Sequence, residues 1–297
     1  IGVCAPEPVG IWVQRGPVPS VGATFRSTSL AYHPGMQRVV LTGGYEHMSP
    51  YPVSDAFLSF DGMSGSWKNE GTLPNPRARH SMVWDSERKA LVAFAGVVID
   101  ITQLNNDLLS LNMNWGPLAV TGGPPAVRIW PGAAYDIDRK VLVLFGGAAS
   151  GTKCNLGDMW ELDSVNNTWT QKSPTPKPDD RCEAPLVYDA ARKRVVLFGG
   201  RYDIGQGTKL FDDTWEWDGA QWTSIKAAGP SPRHEHAMVY DPHRQRTLLI
   251  NGYTSPNDIV DVWEWDGAAW RELTVASANK PTGRSPAVAY DDARASS

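Results

Sequence analysis

The sequence predicts an all-β fold that is built from a repeated unit of about fifty residues. Composition is the first observation: the 297 residues include 28 Gly, 23 Pro and 13 Trp, which favours turns and short strands over long helices. The second observation is that arginines and glycine pairs recur at a nearly constant interval along the chain. The third is that apolar runs and turns follow one another in the same order within each repeat.

Six arginines mark the repeat. They follow one another at intervals of 51, 51, 53, 52 and 51 residues, namely Arg26, Arg77, Arg128, Arg181, Arg233 and Arg284. Residue pairs that end in glycine recur at nearly the same interval, at residues 43–44, 95–96, 146–147, 199–200 and 251–252. A fixed interval of this length indicates a chain assembled from structural repeats.

Each repeat predicts four short strands. A first run ends in an aromatic residue and Asp, as at residues 238–241, and a second apolar run leads into the glycine pair, as at residues 195–200. After a loop comes an alternating third run, as at residues 213–218, and a short turn then leads to a tryptophan such as Trp222. Alternation between turns of this kind predicts antiparallel strands.

This pattern resembles the repeat of the bacterial kelch-repeat β-propeller family, in which four-stranded blades surround a central channel. The glycine pair, the aromatic residue and Asp before it, and the late tryptophan carry the resemblance, which extends from Trp12 to Asp291. It implies an all-β, six-bladed kelch-type β-propeller with four antiparallel strands in each blade. One domain then covers residues 1–297, with blades at about residues 26–76, 77–127, 128–180, 181–232, 233–283, and 284–297 together with 1–25.

The sixth blade is expected to be shared between the two ends of the chain. Residues 11–13 match the last strand of a blade, and residues 284–291 match the first. Closure of this kind joins the ends and removes exposed sheet edges. The chain stops where the second strand of this blade would begin, so either the natural chain is longer or the blade is incomplete.

Charge and hydropathy exclude two classes of partner. The net charge is −4 and the basic residues are scattered, which excludes a nucleic-acid surface. No run of apolar residues approaches the length of about 18 that a membrane-spanning helix needs. The chain begins without a signal peptide, so this segment was removed or the chain is a fragment. We expect a monomer that is secreted or periplasmic, with the cytoplasm as the alternative.

The three cysteines, Cys4, Cys154 and Cys182, are too few for a disulfide scaffold and lack the spacing of a zinc site. The repeat places Cys154 and Cys182 in adjacent blades on the same face. They form either a disulfide, which would fit an oxidising compartment, or two free thiols.

Strand order assigns the loops to two faces. The upper face is defined here as the face at which the first strand of each blade begins, and the loop after each glycine pair lies on it. These loops have 8 to 12 residues and differ in sequence, whereas the lower turns are short and alike. Binding is therefore expected on the upper face, where variable loops stand on a rigid scaffold.

Candidate binding residues lie at two places on the upper face. The repeat arginines are interpreted as structural, with guanidinium groups that join neighbouring blades, or alternatively as a ring of positive charge at the channel mouth. At the starts of the first strands the candidates are Arg77, Arg79, His80, Trp130, Arg181, Arg233 and His236. In the upper loops they are Tyr45, Glu46, His47, Arg201, Tyr202 and Tyr253.

Two functions from different classes are consistent with these residues. The first is a kelch propeller that binds a small anionic or carbohydrate-like ligand, or a protein partner, on the upper face. The second is an isomerase or lyase that moves a proton on such a substrate, since the kelch resemblance includes sugar-acid isomerases. Arg79, Arg181 and Arg233 would then hold the anion, and the acid or base would come from Glu183, His234 or Glu235.

The sequence predicts no metal and no cofactor. His234 and His236 are two residues apart and would point to the same side of a strand, but no Asp or Cys stands at a matching spacing to complete the set. The repeat already explains His236 as a packing histidine. No glycine-rich phosphate loop is present, and a copper-oxidase set of Cys, Tyr and His cannot be matched.

Overall fold

The computed structural model describes residues 25–46, 52–98, 103–112, 114–151, 153–205, 207–274 and 285–291. Within these ranges lie 24 strands and no helix. Twenty of the strands form five antiparallel four-stranded sheets, and the other four form two short ribbons. No helix in the described ranges has the length and hydropathy needed to cross a bilayer.

The five sheets are blades one to five in chain order. In blade one lie β1 (Phe25–Arg26), β2 (Ser29–His33), β3 (Arg38–Thr42), β4 (Tyr45–Glu46), β5 (Ala56–Asp61) and β6 (Ser66–Thr72). In blade two lie β7 (Ser81–Asp85), β8 (Ala90–Val97), β9 (Leu104–Leu111) and β10 (Trp115–Pro117). In blade three lie β11 (Gly132–Asp136), β12 (Val141–Gly147), β13 (Leu156–Asp163) and β14 (Thr168–Lys172).

The last two blades carry the remaining strands. In blade four lie β15 (Leu186–Asp189), β16 (Arg194–Phe198), β17 (Arg201–Asp203), β18 (Thr208–Leu210), β19 (Thr214–Trp217) and β20 (Trp222–Ile225). In blade five lie β21 (Ala237–Asp241), β22 (Arg246–Thr254), β23 (Asn257–Trp265) and β24 (Trp270–Glu272). The ribbons are β1 with β4 and β17 with β18, and neither belongs to a four-stranded sheet.

The structure confirms four antiparallel strands in each of the five described blades, and in several blades it extends strand pairing into the expected upper loop. In blade five, β22 and β23 continue through the glycine pair and meet at the pair Thr254 and Asn257. A register shift between Ile250 and Gly252 allows this continuation, because a bulge bends the strand without ending it. In blades one and four the second strand ends before the glycine pair. In blade four the ribbon β17–β18 follows the pair, whereas in blade one β4 follows it and pairs back with β1, ahead of the first strand.

The hydrophobic core lies between neighbouring blades. In blades two to five, the fourth-strand tryptophan packs on a phenylalanine of the preceding blade, with ring centroids 5.3 to 5.9 Å apart: Trp115 on Phe57, Trp169 on Phe94, Trp222 on Phe145 and Trp270 on Phe198. Such aromatic pairs add to the large apolar area that each ring buries. The repeated tryptophan is therefore a joint between blades.

The glycine pairs form a second joint. The amide of Gly44 donates to the carbonyl of Arg77 in the next blade at 2.8 Å, and Gly96, Gly147 and Gly200 do the same to Arg128, Arg181 and Arg233. A Cβ on Gly43, whose φ is +60°, would lie 2.0 Å from the Arg77 oxygen. Glycine is required there because the backbones of two blades touch.

Six chain segments surround a central channel. Each contributes four consecutive residues, and the segments are 27–30, 79–82, 130–133, 183–186, 235–238 and 285–288. The first five segments lead into the innermost strands of blades one to five. The expected pairing of Trp12 with Arg284 in a sixth blade falls outside the described residues.

Candidate functional site

The upper end of the channel is bounded by six residues, which we call the mouth ring: Ser27, Arg79, Trp130, Glu183, Glu235 and Ser285. All six have a positive φ, between 52° and 58°. Four pairs of successive members are joined through the backbone, as where the Trp130 amide donates to the Arg79 carbonyl at 2.9 Å. A non-glycine residue persists in this conformation only where the surrounding structure enforces it, so the mouth ring is a rigid platform for its side chains.

The repeat arginines lie behind the mouth ring and are structural. Arg128 donates to the Gly146 carbonyl at 2.9 Å and to both carboxylate oxygens of Asp158 at 2.8 Å. Burial raises the pKa of Asp158, but the hydrogen bonds and charge of Arg128 outweigh it and hold the pKa below its usual range. The same arrangement joins Arg77 to Ala95 and Asp107, Arg181 to Gly199 and Asp213, and Arg233 to Asn251 and Asp261.

This geometry corrects two expectations. The side chains of Arg77, Arg181 and Arg233 are at most 1% exposed, so they form no ring of charge at the channel mouth and are removed from the candidate binding surface. Their guanidinium groups also act inside their own blade, since the carbonyl and the carboxylate that they hold belong to the same repeat. The link to the neighbouring blade runs through the arginine's backbone oxygen instead.

Arg79 differs from these arginines. Its guanidinium carbon lies 4.1 Å from the centroid of the Trp130 ring and 5.2 Å from that of Tyr45. Among the described residues, no carboxylate lies within ion-pair distance of it, and its buried Nε has no hydrogen-bond partner. Burial lowers the pKa of Arg79, although the nearby Glu183 and Glu235 act in the opposite direction. The side chain remains a cation stacked on an aromatic wall.

Glu183 stands across the mouth at the centre of a polar cluster. Its Oε2 lies 2.5 Å from Nδ1 of His234 and accepts from Nε of Arg201 at 2.9 Å. Its side chain is only 3% exposed. Burial raises the pKa of this carboxyl, but the His234 hydrogen bond and the Arg201 charge outweigh it, so the pKa is lowered overall. Tyr253 packs edge-on against the His234 ring at 5.4 Å.

Comparisons with known proteins agree with this architecture. Residues 29–218 match the family model of the KLHDC2/KLHL20/DRC7 Kelch-repeats domain. The chain belongs to this kelch-repeat family. The Rho GTPase-activating protein gacHH of Dictyostelium discoideum is 26% identical to the kelch chain over 144 residues, which is 47% of the chain but 9% of that much longer protein.

A solved structure extends the likeness to nearly the whole kelch chain. The structure of YjhT superposes with a TM-score of 0.74, covering 90% of this chain and 88% of that chain. The sequence identity is 14%, so this match shows the propeller fold alone.

A repeated backbone bridge explains which kelch residues reach the mouth. The residue after each described repeat arginine pairs with the residue after the glycine pair, giving Ala78 with Val97, Ile129 with Ala148, Cys182 with Arg201, and His234 with Tyr253. The side chains of the first two bridged pairs are apolar, whereas the last two pairs include the polar side chains of Arg201, His234 and Tyr253. Blades four and five therefore carry the hydrogen-bonded polar cluster of the site.

His80 and His236 lie one residue below the mouth ring, where packing explains them. His80 Nε2 is 2.8 Å from Thr42 Oγ1, and the Cε1 atoms of both rings lie against glycines of the preceding blade. Burial lowers the pKa of both, to about 3 for His236. Both residues line the channel as neutral groups, in agreement with the packing interpretation.

Among the upper-loop candidates, the structure places Tyr202 away from the mouth. Tyr202 alternates with Arg201 along β17 and lines a separate depression with Lys177, Lys209 and Phe211. Glu46 lies in β4, and His47 lies outside the described residues.

Two mouth-ring residues were missed by sequence reasoning. Ser285 donates from Oγ to Glu235 Oε2 at 2.7 Å, and Ser27 accepts the Arg79 amide at 3.1 Å. They stand one residue after their repeat arginines, whereas the other four stand two residues after. Aligning the repeats on the first strand rather than on the arginine would have found them.

The mouth also offers a set of metal-ligand types. One ligand atom from each of Glu183, His234 and Glu235 lies within 4.8 Å of the others. The oxygens of Glu183, however, already face Arg201 and His234. A cation would have to displace these partners and would meet the charge of Arg201, so the geometry favours a hydrogen-bonded pair over a metal site.

The disulfide alternative for the cysteines is confirmed. Cys154 and Cys182 are bonded, with their Cα atoms 5.0 Å apart. Both are buried beside Ala78, Ile129 and Ala148 on the upper side of blades two to four.

Proposed function

We propose that this kelch propeller binds a small anionic ligand at the mouth ring, with Arg79 as the group that binds the anion. The state of Arg79 carries the proposal. The four described repeat arginines hold carboxylates, whereas Arg79 has none among the described residues. A guanidinium that is largely withdrawn from water and has no carboxylate partner among the described residues favours a carboxylate or phosphate supplied by a ligand.

The aromatic contacts of Arg79 support the proposed anion site. The guanidinium carbons of Arg79 and Arg201 lie 4.1 and 5.6 Å from the centroid of the Trp130 ring. The stacking holds the Arg79 fork in place before a ligand arrives, which reduces the entropy lost on binding. The channel below has a volume of about 270 Å³, a size that suits a small molecule better than the flat face of a protein partner.

Proton transfer on the bound ligand is the second candidate function. The contact between Glu183 and His234 favours it, because a carboxylate that accepts from Nδ1 fixes the tautomer and leaves Nε2 to accept a proton. Glu235 supplies a second carboxyl at the mouth. The reaction class would be isomerisation or elimination.

We also propose a sixth blade shared by the two ends of the chain. Six segments line the channel, and the sixth, 285–288, is related to the others by the repeat. Val288 packs against Ile250 and Val262 of blade five, and Ala289 packs against Val39 and Phe60 of blade one. Residues of this segment therefore contact both blades that flank the remaining gap.

An oxidising compartment is proposed for the protein, either secreted or periplasmic. The disulfide Cys154–Cys182 supports this location, because reducing cytosol does not maintain structural disulfides in most organisms.

Calorimetric titration with glucuronate, glucose and inorganic phosphate tests the proposed function. Glucuronate carries a carboxylate on a sugar ring, which matches the anionic or carbohydrate-like ligand expected at the channel mouth, and glucose is its neutral match. We expect glucuronate to bind more tightly than glucose, and Arg79→Ala to weaken this binding about 10- to 100-fold. His243→Ala, on the lower face, is the control and leaves the affinity unchanged. Anion binding that survives Arg79→Ala, or no binding of any anion, would contradict the proposal.

Proton exchange tests the second candidate. If the pair transfers protons, a carbon-bound hydrogen of the bound sugar acid exchanges in D₂O. Glu183→Gln and His234→Asn then slow this exchange by about 100-fold or more without a matching loss of affinity. Binding without exchange leaves the protein as a binding module.

A further inference from the structure

We infer that the disulfide Cys154–Cys182 is a positioning element of the proposed site, which holds β17 so that Arg201 engages Glu183. The inference rests on the proposed function for its consequence in ligand binding. Its structural part concerns only the described residues and can be measured without a ligand.

The half-cystines hold β17 from its two ends. Cys182 exchanges both backbone hydrogen bonds with Arg201, at 2.9 and 3.0 Å. Cys154 accepts from the amide of Asp203 at 3.1 Å. Since β17 is only three residues long, the disulfide links the two chain segments that fix its direction.

The disulfide is adjacent to the polar cluster of the mouth, which consists of Glu183, Arg201 and His234. Cys182 precedes Glu183 in the chain, and Arg201 donates to both oxygens of Glu183, at 2.9 and 3.4 Å. Glu183 in turn contacts His234. A shift of β17 would therefore reach His234 through two hydrogen-bonded contacts.

Blade five shows why blade four needs a crosslink. Tyr253, the counterpart of Arg201, lies within β22, which is nine residues long and part of the four-stranded sheet. Arg201 instead lies in a two-stranded ribbon that is separate from the sheet of its blade. An isolated two-stranded ribbon is marginally stable, so a covalent tie replaces the support that the sheet gives in blade five.

Burial indicates that this tie is permanent. The two half-cystines are 0% and 1% exposed and are packed among apolar side chains. Thiol exchange needs access to the sulfur atoms, so the folded protein keeps the bond closed.

A double-mutant cycle on the full chain tests the inference. The variants are Cys154→Ser with Cys182→Ser, Arg201→Ala, and all three together. Trp67→Phe is the control for lost stability, since Trp67 packs on Phe60 in blade one, away from the mouth. All proteins are titrated with glucuronate at a temperature well below their unfolding midpoints. The pKa of Glu183 is measured without ligand by carboxyl ¹³C NMR.

If the disulfide acts through Arg201, its loss weakens glucuronate binding about 10-fold and adds little in the Arg201→Ala background. The Glu183 pKa rises in the serine variant, because the Arg201 charge is no longer held beside it. Trp67→Phe changes neither quantity. Additive losses of affinity, or an unchanged Glu183 pKa in the serine variant, would overturn the inference. Absence of glucuronate binding in the wild type with a raised pKa in the variant would contradict the proposed function only.

Discussion

Nδ1 of His234 in blade five lies 2.5 Å from Oε2 of Glu183 in blade four. The corresponding residues of the preceding blades are Ile129 beside Arg79 and Cys182 beside Trp130, which cannot form such a pair. Among these three blade boundaries, only the one between blades four and five has this contact, so the contact departs from the repeat. A departure from an otherwise structural pattern is the feature that marks the site.

The lowered pKa of Glu183 predicts a pH-dependent contribution to stability. The carboxylate is favoured in the folded protein, so its contribution is complete above the unfolded pKa of about 4.3 and is lost as the pH falls through the folded value. Glu183→Gln lacks this contribution. Urea unfolding from pH 7 to pH 3 is expected to show a difference between wild type and variant that shrinks toward the acid end. A difference independent of pH would contradict the lowered pKa.

Substitution of a repeat arginine and substitution of Arg79 are expected to change the free energy of unfolding by different amounts. Arg128→Ala leaves Asp158 and the Gly146 carbonyl without their donor, so we expect a loss of about 3 kcal/mol in the free energy of unfolding. Arg79→Ala removes no hydrogen bond to a described residue, and we expect a loss below about 1 kcal/mol. Denaturant titration of the two variants checks this. Equal losses would mean that Arg79 is a structural arginine too.

The sequence was sufficient for the repeat and the strands because both follow from local signals. The fixed interval between arginines, the aromatic residue followed by Asp at residues 240–241, and the alternation at residues 213–218 each depend on residue types that can be read directly along the chain. The observed strands β21 and β19 lie where these patterns predict them. Glu183 and His234 were also found, because they depart from the repeat.

The remaining features depend on contacts that a single sequence does not encode locally. The stacking of Arg79 on Trp130 is a contact between two blades. Arg79 is a candidate for ligand binding because it has no carboxylate partner among the described residues. The sequence also does not show which acceptors the guanidinium groups of the repeat arginines reach, since a carbonyl in the same blade and one in the next are equally suitable. Tyr202 was misplaced because the β17–β18 ribbon was expected to be a loop.

His236 is expected to stay neutral far below the usual pKa of histidine. Burial lowers its pKa to about 3, so its contribution to stability is complete above about pH 6.5 and is lost as the pH falls toward 3. The ¹H NMR signal of its Cε1 proton is expected to remain at the neutral position down to about pH 4. Titration of this signal near pH 6.5 would show that the ring is solvated and available to a ligand.

Thiol counting checks the disulfide in solution. The chain has three cysteines, two of which are bonded in the structure. Unfolding without a reductant, in the presence of a thiol reagent, is therefore expected to reveal one thiol per chain. Three thiols would show that the bond is absent under these conditions, and the site would then lack its crosslink.

Val288 tests the proposed closure of the propeller. Its side chain packs against Ile250 and Val262, so Val288→Asp places a carboxylate in an apolar contact between blade five and the segment at residues 285–291. We expect a loss of about 2 to 3 kcal/mol in the free energy of unfolding. Val165→Asp is the matched control, because Val165 is 56% exposed in the turn between β13 and β14. This control is expected to change stability by less than about 0.5 kcal/mol. If the two substitutions had the same small effect, the C-terminal segment would not close the ring, and the sixth blade would have to be sought elsewhere in the chain.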